Sequence, residues 1–265
     1  MEPRMEPARK KARLSTGELD YFVLGEGRPL LYLHSSAGVA WTPVLAGLAR
    51  NHALHVPVIP GYDGSPLHAG VTDMPALGRL LGEFINQTFA GNSFGEALDV
   101  IGHSFGGRAA LWTAIERPQA IDHLVLEAPS GFAPNGSFPT DPETLRKRMF
   151  AHPEKRPAGE RSPHLAANRR STDVYLKGQT FDAELQSRLS SVQNKTLILQ
   201  GTADLICPRE GVQSLKAKLP KAWLVYIWDA AHAPETDQPE RVLKVVGDFL
   251  EKSEAFVVNW ETARA

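Results

Sequence analysis

The sequence predicts an α/β fold in which a mostly parallel sheet is flanked by helices. Three observations carry that expectation. Short, continuously apolar runs recur at 30–34, 98–102, 122–127 and 196–200, as expected of strands covered on both faces. Helical periodicity lies between them, clearest in Leu77, Leu80, Leu81, Phe84 and Ile85. The two patterns alternate along nearly the whole chain, which implies parallel strands joined by right-handed crossovers.

Residues 19–24 read as the first strand, closed by a turn at Gly25-Glu26-Gly27. The strand 30–34 follows, then a helix over 41–50 and a strand over 54–59. Pro60-Gly-Tyr-Asp-Gly-Ser-Pro66 is a loop by its turn residues. A helix over 74–89 leads to the strand 98–102, a helix over 105–117 and the strand 122–127. The alternation then pauses. Residues 132–189 are rich in Pro, Arg and His and hold helical patterns at 142–151, 164–170 and 181–191. It resumes with a strand over 196–200, a helix over 209–219, a strand over 223–228 and an amphipathic helix over 239–252. The expected organisation is therefore a disordered basic tail over 1–15, a core formed by 16–131 and 190–265, and a helical lid inserted at 132–189 over the carboxyl edge of the sheet.

With 265 residues, the chain suits one large domain that buries a full core. A formal net charge of −1 gives no global field that would favour nucleic acid. A single cysteine, Cys207, allows no disulfide within the chain, so nothing points to an oxidising compartment and the cytoplasm is the expected location. No apolar run is long enough to span a bilayer, and no membrane partner is expected. Between 141 and 177, nine Lys or Arg face five Asp or Glu. That excess suits either a solvated helical surface or a lid that attracts a carboxylate, with Arg169 and Arg170 as candidate contacts.

The chemistry centres on Leu98-Asp-Val-Ile-Gly-His-Ser104-Phe-Gly-Gly107, a strand, a tight turn and the start of a helix. Gly102-His103-Ser104-Phe105-Gly106 fits G-x-S-x-G, in which a strained turn lifts a serine hydroxyl off the sheet edge. The plain alternative is a serine that merely caps a helix. A serine nucleophile needs a base, and among nine histidines His232 follows the last strand in Asp229-Ala-Ala-His-Ala-Pro234. The histidine needs a carboxylate to fix its tautomer. Asp204 follows the strand ending Leu199-Gln-Gly-Thr-Ala-Asp204, with Glu127 as competitor at another strand end. The oxyanion donors expected are the N–H of Phe105 and that of Ser36, in the loop His34-Ser35-Ser36-Ala37-Gly38. No metal-ligand spacing and no phosphate-binding loop is present, so neither metal nor cofactor is expected.

These motifs resemble the α/β-hydrolase superfamily, in its lid-bearing branch. The resemblance runs from about residue 17 to 252 through His34-x-x-x-Gly38, Pro60-Gly-Tyr-Asp-Gly-Ser65, Gly102-His-Ser-Phe-Gly106, Gly201-Thr-Ala-Asp204 and Ala231-His-Ala-Pro234. It implies Ser104, Asp204 and His232 as catalytic triad, in that chain order, and Ser36 as oxyanion donor. Ser35 departs from the family's glycine, and its side chain is expected to alter the turn. His34, Ser35, His103 and Phe132 join Arg169 and Arg170 as candidate substrate contacts. The implied activity is cleavage of a small carboxylic ester or related acyl compound through an acyl-enzyme. A carbon–carbon bond hydrolase of aromatic ring-cleavage products and a slow-turnover receptor are the alternatives. The sequence leaves the oligomeric state open.

Overall fold

A computed structural model describes residues 6–91, 97–134, 141–155 and 163–256. Its strands are β1 (Ala8–Leu14), β2 (Gly17–Leu24), β3 (Arg28–Leu33), β4 (His52–Pro57), β5 (Leu98–His103), β6 (Ile121–Glu127), β7 (Lys195–Gly201) and β8 (Ala222–Ile227). They form one sheet in the order β1-β2-β4-β3-β5-β6-β7-β8. β1 and β2 pair antiparallel, as do β2 and β4, and every later pairing is parallel.

The helices are α1 (Pro43–Leu48), α2 (Met74–Phe89), α3 (Phe105–Glu116), α4 (Pro142–Met149), α5 (Leu165–Leu176), α6 (Ala183–Arg188), α7 (Arg209–Lys218), α8 (Pro234–Asp237) and α9 (Pro239–Lys252). Local chemistry sets their starts. The Asp73 side chain accepts the Ala76 N–H at 2.9 Å at the head of α2, and Asp141 does the same for Thr144 at 2.7 Å in α4.

Successive strand residues alternate between two apolar cores. Leu31, Leu33, Val100, Leu124, Leu126 and Ile198 face the core built with α2, α3 and α7. Leu30, Tyr32, Ile101, Val125, Leu197 and Leu199 face the core built with α1 and α9. This period-two burial on both faces is what the continuous apolar runs encoded. Because β3 and β5 to β8 are parallel, the loops at 35–39, Ser104, 128–134, 202–208 and 228–233 emerge along one edge.

The tail expected to be disordered is a correction. Over Ala8–Leu14 it is β1, paired with β2 from Ala8↔Val23 to Leu14↔Gly17, so the core begins before residue 16. Its basic residues bond across the hairpin, Arg9 to Asp20 at 2.7 Å and Lys11 to Glu18 at 2.8 Å. An edge strand pairs on one side only and tolerates charge, which also blunts the edge against other chains. In the segment between β6 and β7, α4, α5 and α6 occupy the expected helical stretches with shifted ends. No helix among the described residues is long and apolar enough to cross a membrane.

Candidate active site

Ser104 sits between β5 and α3 at φ 53°, a left-handed conformation that L-residues rarely adopt. The turn is held by its own backbone: the Ser104 N–H donates to Glu127 O at 2.8 Å, and Ser104 O accepts from Ser130 at 3.0 Å and Arg108 at 3.2 Å. Its side chain makes no capping bond to α3, which removes the helix-cap reading. Gly106 permits the turn. A Cβ there would lie 2.0 Å from the Leu33 carbonyl oxygen, so only glycine lets α3 close on the end of β3.

The three residues separated in sequence meet here. The Ser104 Oγ lies 2.9 Å from His232 Nε2, and His232 Nδ1 lies 3.0 Å from Asp204 Oδ2. The Asp204 carboxylate also accepts from the Ile206 N–H at 2.8 Å, the Cys207 N–H at 3.0 Å and Gln200 Nε2 at 2.9 Å. Burial pushes the Asp204 carboxyl up, but the His232 ring and these N–H donors outweigh it and hold it below its ordinary value. For His232, burial opposes the charged ring, and the Asp204 carboxylate overcomes that, raising its pKa well above the ordinary value. Burial raises the Cys207 thiol and keeps it neutral, which leaves Asp204 as the charge that His232 meets. An arrangement of this kind can take the proton of a serine hydroxyl and stabilise the resulting imidazolium.

Glu127 is not the partner of His232. It is buried beside Glu235, and burial followed by the neighbouring carboxylate raises its pKa well above the ordinary value. Glu235 supports His232 from behind through His103: His103 Nε2 donates to the His232 carbonyl at 2.9 Å, and His103 Nδ1 lies 3.2 Å from Glu235 Oε1. His103 thus contacts the His232 backbone, within the core. Asp237, fully buried, accepts the Ala231 N–H at 2.8 Å and the Ala151 and His152 N–H groups at 2.9 Å each. It ties the His232 loop to the chain leaving α4.

The loop after β3 is a tight turn in which the Gly38 N–H donates to Ser35 O at 3.1 Å. His34 Nδ1 donates to the same Ser35 O at 2.8 Å, while His34 Nε2 accepts from Ile59 at 3.1 Å, so His34 is a neutral loop-ordering residue. Burial lowers its pKa, consistent with that tautomer. Ser35 Oγ accepts the Ala37 N–H at 3.3 Å and so tightens the turn, as its departure from glycine suggested. The Ser36 and Phe105 N–H groups have no acceptor among the described residues.

Phe132 is buried and lines two adjoining cavities. The narrow one also touches Ser130 and Cys207, and the wider one, about 510 Å³, is bounded by Arg148, Phe181, Leu205 and Glu210. Arg169 and Arg170 are a correction. Both lie on the exposed face of α5, while buried Asn168 and Ser171 turn to the core. Among the described residues, two clusters bring metal-ligating atom types together, Asp204-Cys207-His232 and Asp99-Asp122-His123. In the first, Ser104 and Asp204 engage both ring nitrogens of His232; in the second, Arg28 is shared between Asp99 at 3.3 Å and Asp122 at 3.2 Å, and His123 Nδ1 lies 2.8 Å from Asp99, so protein groups already occupy these carboxylates. Gln200, Glu235, Asp237 and Asn168 carried no sequence signal, because each acts through a bond to distant backbone or to another side chain of the site.

Comparison with known proteins agrees with this frame. The chain is 26% identical over 275 residues to 2-hydroxymuconate semialdehyde hydrolase of Pseudomonas putida, covering 87% of this chain and 90% of that protein. It is 23% identical over 254 residues to pimeloyl-[acyl-carrier protein] methyl ester esterase of Aeromonas salmonicida, covering 85% and 96%. The solved structure of 2-hydroxy-6-oxo-6-phenylhexa-2,4-dienoate hydrolase from Rhodococcus sp. strain RHA1 has the same fold, with a TM-score of 0.77 at 20% identity over 93% of this chain and 99% of that one. The model of the alpha/beta hydrolase family matches residues 30–245, and the chain, with its mostly parallel sheet and its elbow at Ser104, belongs to that family.

Proposed function

We propose that the protein is a serine hydrolase that cleaves a small carboxylic ester, or a related acyl compound, through an acyl-enzyme. The observation that carries this reading is the continuous hydrogen-bonded line from Ser104 Oγ through the His232 ring to Asp204, set on a strained elbow. Ser104 Oγ attacks the substrate carbonyl as His232 Nε2 takes its proton. Asp204 orients the ring and stabilises the imidazolium. The Ser36 and Phe105 N–H groups receive the negative charge on the carbonyl oxygen. The intermediate collapses, His232 returns the proton to the departing alcohol, and a water deprotonated by His232 then releases the acid. The relatives named as an ester esterase and a semialdehyde hydrolase support the reaction class.

Helices α4, α5 and α6, between β6 and β7, serve as the roof of this site. The α4 end is tied through Asp237 to the His232 loop, and Asp182 is bound by Arg108 and Trp112 of α3. The cavity bounded by Phe132 and Phe181 then serves as the acyl or leaving-group pocket.

A second reading, hydrolysis of a carbon–carbon bond in a ring-cleavage product, is favoured by Arg148. It is half-buried at that cavity and available to a dienoate carboxylate. Intact mass after exposure to a fluorophosphonate, with Ser104→Ala alongside, tests the nucleophile: one adduct on the wild type and none on the variant is expected. A panel of nitrophenyl esters of rising acyl length, run beside a 2-hydroxy-6-oxo-dienoate, separates the two substrate classes.

A further inference from the structure

Helix α5 is joined to the core by a polar stripe. Asn168, Ser171, Thr172 and Tyr175 fall on one helical face, and each reaches a residue of the loop 60–66. Ser171 Oγ donates to Gly61 O at 2.6 Å, Thr172 Oγ1 and Tyr62 OH lie 2.7 Å apart, and Tyr175 OH donates to Pro60 O at 2.9 Å. Asn168 does more. Its Oδ1 accepts the Asp63 N–H at 2.9 Å, and its Nδ2 donates both to Asp63 Oδ1 at 2.9 Å and to Ala37 O at 2.8 Å. Asp63 in turn accepts the Val39 N–H at 2.7 Å through its other oxygen. Both groups that leave the Ser35–Gly38 turn are therefore held by the Asn168–Asp63 pair.

The fit around this pair is tight. Asn168 is fully buried. Gly38 has φ +96°, and a Cβ there would lie 2.3 Å from Asp63 Oδ1 and 2.5 Å from Asn168 Nδ2. The same helix touches the other proposed donor residue: the Tyr175 and Phe105 rings are 5.8 Å apart, with Tyr62 5.4 Å from Phe105 and 4.9 Å from His34. A buried amide whose donors and acceptor are all used fixes backbone geometry far better than packing alone.

We propose that Asn168 is a positioning residue, which holds the Ser36 N–H in line for the developing oxyanion by fixing Ala37 O from the roof of the site. The proposal rests on the serine-hydrolase reading above. The turn supplies charge stabilisation that is used only in the transition state, so its displacement lowers kcat and leaves substrate binding nearly unchanged.

The test compares Asn168→Ala, Ser171→Ala and the exchanged pair Asp63→Asn/Asn168→Asp, using nitrophenyl butyrate turnover, fluorophosphonate labelling of Ser104 and inhibition by phenylboronic acid, which forms a tetrahedral adduct on a reactive serine. Ser171→Ala loosens the same helix without touching the turn. The exchanged pair keeps the link from α5 to residue 63 and removes the donor to Ala37 O. Asn168→Ala and the exchanged pair are expected to lose about 100-fold in kcat with KM within about 2-fold, as for a misplaced catalytic group. Boronate affinity falls in parallel, and Ser171→Ala stays within about 3-fold of wild type. Equal labelling rates and equal kcat in wild type and Asn168→Ala, or equal losses in Ser171→Ala with KM rising, overturn the positioning role and leave the hydrolase reading intact. A wild-type protein that takes no label at Ser104 overturns both.

Discussion

Asp204 Oδ2 receives two side chains at once, His232 Nδ1 at 3.0 Å and Gln200 Nε2 at 2.9 Å. The carboxylate is thus aimed from the β7 side before it meets the imidazole. A base must be neutral to accept a proton, and this ring's pKa stands well above the ordinary value of about 6.5. Activity is therefore expected to rise with pH through an apparent pKa above about 6.5 and then level. Asp204→Asn leaves the burial and removes the carboxylate, so the apparent pKa moves below about 6.5 while the plateau falls by about 10⁴. A pH profile of kcat/KM for both proteins checks this.

Asp182 binds the buried Arg108 guanidinium, at 2.8 Å to Nε and 2.7 Å to Nη2, and also the Trp112 indole at 2.9 Å. Its other oxygen caps α6 through Leu185 at 2.9 Å. Asp182→Ala leaves a buried cation unpaired and is expected to cost about 3–5 kcal/mol. The shift of the denaturant midpoint measures it.

Asp237→Ala strips an acceptor from the N–H groups of Ala151, His152 and Ala231. Bonds to a charged acceptor contribute about 1.5–3 kcal/mol each, so a loss of at least about 3 kcal/mol is expected. Because Ala231 precedes His232, kcat falls as well, which separates this variant from Asp182→Ala in a paired turnover and unfolding experiment.

Glu127 has its folded-state pKa raised by burial and then by Glu235. The folded protein keeps a proton that the unfolded chain releases above about pH 4.3, so stability falls as pH rises from there toward the folded value. Glu127→Gln removes that loss. The Tm difference between variant and wild type is expected to widen in the variant's favour from about pH 5 to about pH 8, read by thermal melts across that range.

The strand-end motifs were legible because each joins a buried apolar run to a turn with its own residue chemistry: Gly102 to Gly106 around Ser104, Gly201-Thr-Ala before Asp204, Ala-Ala before His232. Parallel strands then bring those ends together without further information. β1 was hidden because a strand paired on one side carries no apolar alternation, and its charges resemble those of a solvated tail. Arg169 and Arg170 failed on helical phase. Charge excess does not tell which face of α5 meets the core, and the neighbouring neutral Asn168 occupies that face. Asp237 and Asn168 act by bonding to backbone far along the chain, and Gln200 acts only through the Asp204 side chain and the Cys207 carbonyl, pairings that composition and periodicity do not encode.

The stripe from α5 to the loop 60–66 sets a rule for recombination among related chains. An exchange of the whole 132–189 segment breaks the bonds of Asn168, Ser171, Thr172 and Tyr175 to residues 60–63. A functional chimera must therefore carry the loop 60–66 along with its new insert and keep an acid at the place of Asp182 for the buried Arg108, while the exposed face of α4 is left open to diversify.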